Sequence, residues 1–202
     1  MVQIWNPTRA APPARKQPAQ MATSTTPLAS GWKFRKAHPA ATPHVLDNLH
    51  DVKSVPGEIH VDLLAHDLIP DPFKKKNELL VQWVGEEAWH YELSFPSPSG
   101  AGKHELVFEG LDTFAIVTLN GKEILQTSNM FTPYRVDVTE VLKKNEGENL
   151  LEVVFESAYL RGKREREKYP NFPWGGWNGD TSRFAVRKAQ YHYVSSHVLR
   201  EC

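Results

Sequence analysis

The chain has 202 residues, enough for one medium-sized domain, and 40% of them are hydrophobic. No apolar run approaches the roughly 20 residues that cross a bilayer, so the pattern excludes a membrane span. The 24 basic and 24 acidic side chains cancel, whereas nucleic-acid binders typically carry a basic excess. We therefore predict neither a membrane nor a nucleic acid as partner.

Residue types that bind metals or cofactors are sparse. Cys202 is the single cysteine, so the chain can form no internal disulfide and has no Cys-rich zinc pattern. Glycine loops that bind phosphates, Gly-x-Ser-x-Gly and His-Glu-x-x-His are all absent. We predict no cofactor and no metal, and we expect a cytoplasmic location.

The first 29 residues differ in composition from the rest. No acidic residue occurs before Asp47, and this segment is rich in Pro, Ala, Ser and Thr. Such a composition predicts a disordered tail over residues 1–29. An organelle transit peptide is the alternative, but its prolines would interrupt the amphipathic helix that such peptides form.

Beyond the tail, short β-prone segments alternate with turns. Gly31–Ala37 alternates aromatic and basic residues, as a half-buried strand does. Apolar residues at three-to-four spacing predict a short helix over Glu58–Asp67. Glu86–Phe95 reads as the next strand, with Trp89 and Leu93 on one face.

The strongest local signal is a β-hairpin in the middle of the chain. Phe114–Leu119 and Lys122–Leu125 are joined by Asn120-Gly121, a pair that favours the type I′ turn. Further strands are predicted from Leu106 and over Tyr134–Val138 and Leu150–Glu156, and Thr139 is expected to cap one helical turn through Lys143. Because no long crossover helices separate the strands, the fold class is all-β, an antiparallel sandwich or jelly roll with a few short helices.

The last part of the chain is predicted to be helical and then irregular. Ala158–Lys168 mixes positive and negative charges, which is more typical of a solvated helix face than of a nucleic-acid contact. Tyr169–Trp177 is an aromatic loop rich in Gly and Pro. Such a loop can stack on a sugar ring or close the end of a sandwich, and composition does not distinguish these uses.

A search for catalytic groupings is largely negative. A loose group of His and Asp residues comprises His44, His50, His60, His66, Asp51, Asp62 and Asp67. His60 and His66 are six positions apart and fall on different helical faces, so a metal site is not favoured. Glu86 and Glu87 would point to opposite faces of a strand. The other carboxylates show no evident pairing of the kind that glycoside hydrolysis needs.

Several ordered blocks nevertheless resemble the start of β-mannosidases of glycoside hydrolase family two, closest to the intracellular fungal type. The blocks are Ser54–Leu64, Leu68–Phe73, Trp83–Trp89, Phe108–Ala115, Leu119–Gly121, Ser128–Thr139 and Arg187–His192. The resemblance implies an N-terminal domain over Ser30–Tyr193 with a galactose-binding-like jelly-roll fold. Residues 194–202 do not follow the family, which continues with Gly-Trp-Asp-Trp-Gly-Pro after the block ending at His192.

The resemblance also implies what this chain does not contain. Family members remove terminal β-D-mannose with two carboxylates, and both belong to a downstream barrel. We therefore expect an N-terminal fragment, truncated before the barrel, in which no residue is catalytic. Its substrate in the full-length family is a mannose-containing oligosaccharide.

Two other functions remain open. The chain is alternatively a stand-alone carbohydrate-binding module, for which the candidate sugar contacts are Trp174, Trp177, Arg187 and Gln190. A protein-interaction sandwich is the third reading, and exposed aromatic side chains would favour it.

Overall fold

The computed structural model describes residues 25–38, 44–99, 102–143 and 147–172. The strands are β1 (Lys33–Lys36), β2 (His50–Asp51), β3 (Trp89–Pro96), β4 (Glu105–Phe108), β5 (Ala115–Leu119), β6 (Lys122–Gln126), β7 (Tyr134–Asp137) and β8 (Glu148–Phe155). The helices are α1 (Ile59–Ala65) and α2 (Ala158–Lys168), with short 3₁₀ helices at Val45–Asp47, Asn77–Leu79 and Gln82–Glu86. The predicted tail lies outside the described residues as far as residue 24.

The strands form two antiparallel sheets. The larger has the order β2-β1-β3-β8-β5-β6, and the smaller consists of β4 and β7. Every pair of neighbouring strands within these sheets is antiparallel. The predicted all-β antiparallel sandwich is therefore confirmed.

One face of the larger sheet carries the core. Leu119, Leu151 and Val153 are buried on this face, and Leu106 and Val136 of the smaller sheet pack against the same cluster. A second cluster joins the β1 and β3 end of the sheet to the segment around α1, with side chains from Phe34, Leu46, Ile59, Leu63, Ile69, Val81, Val84 and Trp89. Burying this apolar surface is the main contribution to folding stability.

The predicted hairpin is confirmed at its turn. Leu119 pairs with Lys122, and Asn120 and Gly121 have φ angles of 53° and 79°. Both residues thus adopt the left-handed conformation that a type I′ turn requires.

Two local predictions are wrong. Glu86 ends a 3₁₀ helix and Glu87 follows it, so β3 starts only at Trp89. Thr139 does not cap a helical turn: its backbone N–H and its hydroxyl both donate to the Asp137 carboxylate, and the chain there forms a turn. In both places tertiary contacts outweigh local propensity: Glu87 pairs with Lys36 of β1 at 2.6 Å, and the Thr139 hydroxyl oxygen accepts from the His104 backbone N–H at 2.9 Å.

The helix predictions hold with small changes at the ends. α1 is three residues shorter than Glu58–Asp67, and α2 has the predicted bounds. Within the described residues, no helix is long and apolar enough to cross a membrane.

Candidate functional site

The four candidate sugar contacts, Trp174, Trp177, Arg187 and Gln190, lie outside the described residues. The same holds for the aromatic loop beyond residue 172. A sugar-binding role for these side chains therefore stays a prediction.

Two of the loosely clustered histidines contact each other and the backbone. The rings of His50 and His66 lie with their centroids 5.2 Å apart and their planes tilted by 57°. Nε2 of His50 lies 2.9 Å from the Val45 carbonyl oxygen, and Nε2 of His66 lies 2.7 Å from the Asp51 carbonyl oxygen. These contacts engage one ring nitrogen of each histidine in fixing the loops around β2.

A different group of polar side chains meets on the sheet face opposite the core. Successive residues of a strand point to opposite faces. Leu93 is buried and the half-buried Tyr91 packs against both core clusters, so His90 and Glu92 lie on the other side. The register of β3 and β8 sets Glu92 directly opposite Glu152. The same face receives Thr118 from β5, which pairs with Glu152.

The side chains of His90, Glu92 and Glu152 are close enough to contact a single ion. His90 Nε2 lies 3.4 Å from Glu152 Oε1 and 3.6 Å from Glu92 Oε2. The Thr118 hydroxyl donates to Glu152 Oε2 at 3.0 Å. One donor atom from each of the three residues lies within 4.8 Å of the other two, which identifies them as a possible metal-binding group.

Burial governs the electrostatics of this group. His90 is only 5% exposed, and its burial lowers the pKa of the imidazole below the usual 6.5. The charge of Arg35, which faces His90 from β1, acts in the same direction, while Glu152 and Glu92 oppose it. His90 Nε2 has no hydrogen-bond partner, an unusual state for a buried polar atom.

Glu92 and Glu152 lie close together on this sheet face, but their proximity does not test the prediction that no carboxylates pair in the way glycoside hydrolysis needs. Period-two alternation in Trp89-His90-Tyr91-Glu92 already places His90 and Glu92 on one face, and that signal was available in the sequence. Glu152 was not predictable in the same way, because its position depends on how β8 pairs with β3.

The described surface also contains an open groove of about 470 Å³. Lys103, Lys122, Asp137 and Glu140 contribute to its lining, and none of the lining residues is aromatic. Ligand pockets for small molecules are usually lined by apolar and aromatic groups with a few polar ones. The groove therefore does not have the character of a sugar-stacking site.

Large apolar side chains are exposed between α1 and β3. Phe73, Leu79 and Leu80 expose 66%, 64% and 63% of their surface, while the adjacent Val81 is 1% exposed and belongs to the core. Clustered exposure of this kind is typical of surfaces that contact other protein.

Comparison with known proteins assigns the fold. Residues 32–195 match the family model described as the glycosyl hydrolase 2 galactose-binding domain-like domain. The chain is 52% identical over 170 residues to β-mannosidase B of Thermothelomyces thermophilus, a match that covers 83% of this chain and 19% of that protein. β-Mannosidase B of Emericella nidulans is 43% identical over 168 residues, or 82% of this chain and 19% of its own.

A solved structure agrees with these matches. The crystal structure of β-D-mannosidase from Dictyoglomus thermophilum superposes with a TM-score of 0.64 at 38% identity. The superposition covers 81% of this chain and 19% of that protein. The chain thus spans about one fifth of the length of the curated relatives that it matches.

Proposed function

Because the chain belongs to the glycosyl hydrolase 2 galactose-binding domain-like family, we propose that it serves as this domain of a β-mannosidase. The observation that carries the proposal is the 52% identity to a β-mannosidase B over 170 residues. The whole enzyme would remove terminal β-D-mannose from an oligosaccharide. A cytoplasmic location belongs to the same proposal.

In this proposal the domain has a supporting role, and the catalytic carboxylates belong to another part of the enzyme. A retaining glycosidase needs two carboxyl groups on either side of the scissile bond in a pocket that binds the sugar. Glu92 and Glu152 are close together, but they stand on a sheet face and do not line the open groove. Their arrangement supports a role other than glycoside cleavage.

The exposed apolar residues support a place within a larger protein. Phe73, Leu79 and Leu80 each leave more than 60% of their surface open to solvent, and covering them would contribute roughly 25 cal/mol per Å² of apolar area. We assign these side chains to the contact with the remainder of the enzyme.

A domain exchange tests the proposal. The segment of Thermothelomyces thermophilus β-mannosidase B that matches this chain is replaced by residues 32–195, and the chimera is assayed on 4-nitrophenyl β-D-mannopyranoside. We expect activity within about tenfold of the parent enzyme, because the two segments are 52% identical. A chimera that folds with the parent's melting behaviour but has no activity would refute the proposal.

Paired variants of the chimera examine the contact surface. Leu80→Ser should lower the activity or thermal stability of the chimera while leaving the isolated 202-residue chain as stable as before, because Leu80 is exposed. The neighbouring Val81→Ser is the control and should destabilise both proteins, because Val81 lies in the core. Equal effects of Leu80→Ser on the chain and the chimera would argue against the contact.

A further inference from the structure

We propose that His90, Glu92 and Glu152 form a site for a divalent transition-metal ion, with Zn²⁺ as the ion that fits best. The site lies on the solvent side of the larger sheet and joins β3 to β8. It is separate from glycoside chemistry, and it does not depend on the function proposed above.

The distances match the requirement of such an ion. A tetrahedral zinc ion with bonds of about 2.0–2.2 Å holds its ligand atoms about 3.3–3.6 Å apart. The imidazole Nε2 of His90 lies 3.4 Å from one carboxylate oxygen and 3.6 Å from the other. The ligand atoms of Glu92 and Glu152 lie within 4.8 Å of each other, so an ion can contact all three donors once the two carboxylates adjust to its bond lengths.

The unpartnered imidazole nitrogen is an independent indication of a ligand. His90 is 95% inaccessible to solvent, and its Nε2 faces the two carboxylates without a properly oriented hydrogen bond to either. Buried polar atoms in native proteins normally have a partner, and an exception points to a missing water or ion. A metal bound between the carboxylates would accept the lone pair of this nitrogen.

Neighbouring groups position the donors of the site. Thr118 holds the second oxygen of Glu152, which is the kind of hydrogen bond that orients a metal-binding carboxylate. The adjacent cations have other partners, since Arg35 Nη1 donates to the Lys36 carbonyl and Lys33 pairs with Asp51.

The donor set selects the class of ion. One imidazole nitrogen with two carboxylate oxygens suits zinc and its neighbours, whereas Mg²⁺ and Ca²⁺ prefer oxygen donors alone. Three protein ligands would leave a fourth position for water. Glu92 and Glu152 are 23% and 26% exposed at their side chains, so the ion has access from solvent.

Titration calorimetry with zinc sulfate tests the proposal on the full chain, prepared without an affinity tag and stripped with EDTA. We expect one zinc ion per chain and a higher melting temperature in its presence. The double variant Glu92→Gln, Glu152→Gln should weaken zinc binding by at least about tenfold. The single variant Thr118→Val should weaken it by about tenfold. Cobalt should give the visible absorption of a four-coordinate ion.

Two controls separate this site from other zinc ligands. Glu123→Gln changes an exposed carboxylate on β6 and should leave binding unchanged. His66→Gln removes one of the two histidines whose rings are in contact near β2, and it should also have no effect. Circular dichroism confirms that each variant is folded.

Several results would overturn the proposal. They are an absence of saturable zinc binding, binding that survives the double glutamine variant, binding that is lost with His66→Gln, and equal affinity for Mg²⁺ or Ca²⁺. Crystals grown with zinc provide a second measurement on the unmodified chain. An anomalous scattering peak at the zinc edge must lie between His90, Glu92 and Glu152.

Discussion

Asn120 both forms the hairpin turn and attaches the hairpin to the rest of the sandwich. Its left-handed backbone shapes the hairpin, and its side chain connects the turn to the rest of the sandwich. The amide nitrogen donates to the Val141 carbonyl and to the buried Asn149 side chain, both at 2.9 Å, and the amide oxygen accepts from Leu150 N–H at 3.0 Å. The residue that suits the turn thus also anchors the hairpin to β8.

The other turn position provides a stability test. Gly121→Val should destabilise the domain by about 1–2 kcal/mol, because a β-branched residue resists a positive φ. A Cβ atom at Gly121 would meet no heavy atom of the surrounding structure within 4 Å, so the expected cost comes from the local backbone conformation alone. Urea unfolding measures the loss. Gly121→Asn is the control and should cost less, and equal unfolding free energies for the two variants would contradict the explanation.

Asp62 is a buried carboxylate within α1. It is 1% exposed, accepts a hydrogen bond from the Lys53 backbone at 2.8 Å, and lies 3.4 Å from the Tyr91 hydroxyl. Its burial raises the pKa above the ordinary 3.8, against the opposing effect of the Lys53 and Tyr91 hydrogen bonds.

This raised pKa predicts a pH dependence of stability. The contribution of Asp62 to folding is fully present below the unfolded-state pKa and is lost as pH rises through the folded-state pKa. Asp62→Asn cannot ionise, so its unfolding free energy relative to the unmodified chain should increase between pH 4.5 and pH 7.5. Reversible urea unfolding at both pH values measures the difference. The exposed Asp51→Asn is the control, and a difference that is constant with pH would contradict the prediction.

At the scale of elements, the N-cap residue of α2, Ser157, attaches the helix to the sandwich. Most of its side chains are polar, and of its residues Gly162 is the buried one. Ser157 caps the helix by accepting from Leu160 N–H at 3.0 Å, and its hydroxyl donates to the Gly85 carbonyl at 2.6 Å. One buried side chain thus serves both the helix end and the contact with the 3₁₀ helix before β3.

Removal of this hydroxyl should therefore have a measurable cost. We expect Ser157→Ala to lower the unfolding free energy by about 1–2 kcal/mol, because it removes the cap and leaves the Gly85 carbonyl without its donor. Ser94→Ala on the exposed face of β3 is the matched control and should change stability by less than about 0.5 kcal/mol. Ser157→Thr should restore part of the loss. Thermal unfolding that is identical in the two alanine variants would refute this role.

At the scale of the whole molecule, we expect the 202-residue chain to have no β-mannosidase activity of its own. The purified 202-residue chain should hydrolyse neither an aryl β-mannoside nor β-1,4-mannobiose above the buffer blank, because its paired carboxylates lie on a sheet face and not in a sugar pocket. Release of 4-nitrophenol and of mannose are the measurements. Saturable turnover that disappears in the Glu92→Gln, Glu152→Gln variant would mean that this face catalyses the reaction.

Local patterns were sufficient for the parts of the fold that depend on neighbouring residues. The alternation in β3, the Asn120-Gly121 turn and the bounds of α2 were predicted because strand periodicity, left-handed turn residues and helix spacing are properties of short segments. The antiparallel sandwich was predicted from the short spacing of the strands, and the family resemblance agreed with it. The 3₁₀ helix ending at Glu86 and the turn at Thr139 were mispredicted, because distant partners outweigh their local preferences.

The order and register of the strands were decided only in the tertiary structure. β1 pairs with β3, and β3 in turn pairs with β8, although β3 and β8 are separated by four other strands along the chain. A shift of one residue in that register would turn Glu152 to the core face and away from His90. Periodicity specifies which residues of one strand share a face, whereas the packing of the whole core determines which strands bring those residues together.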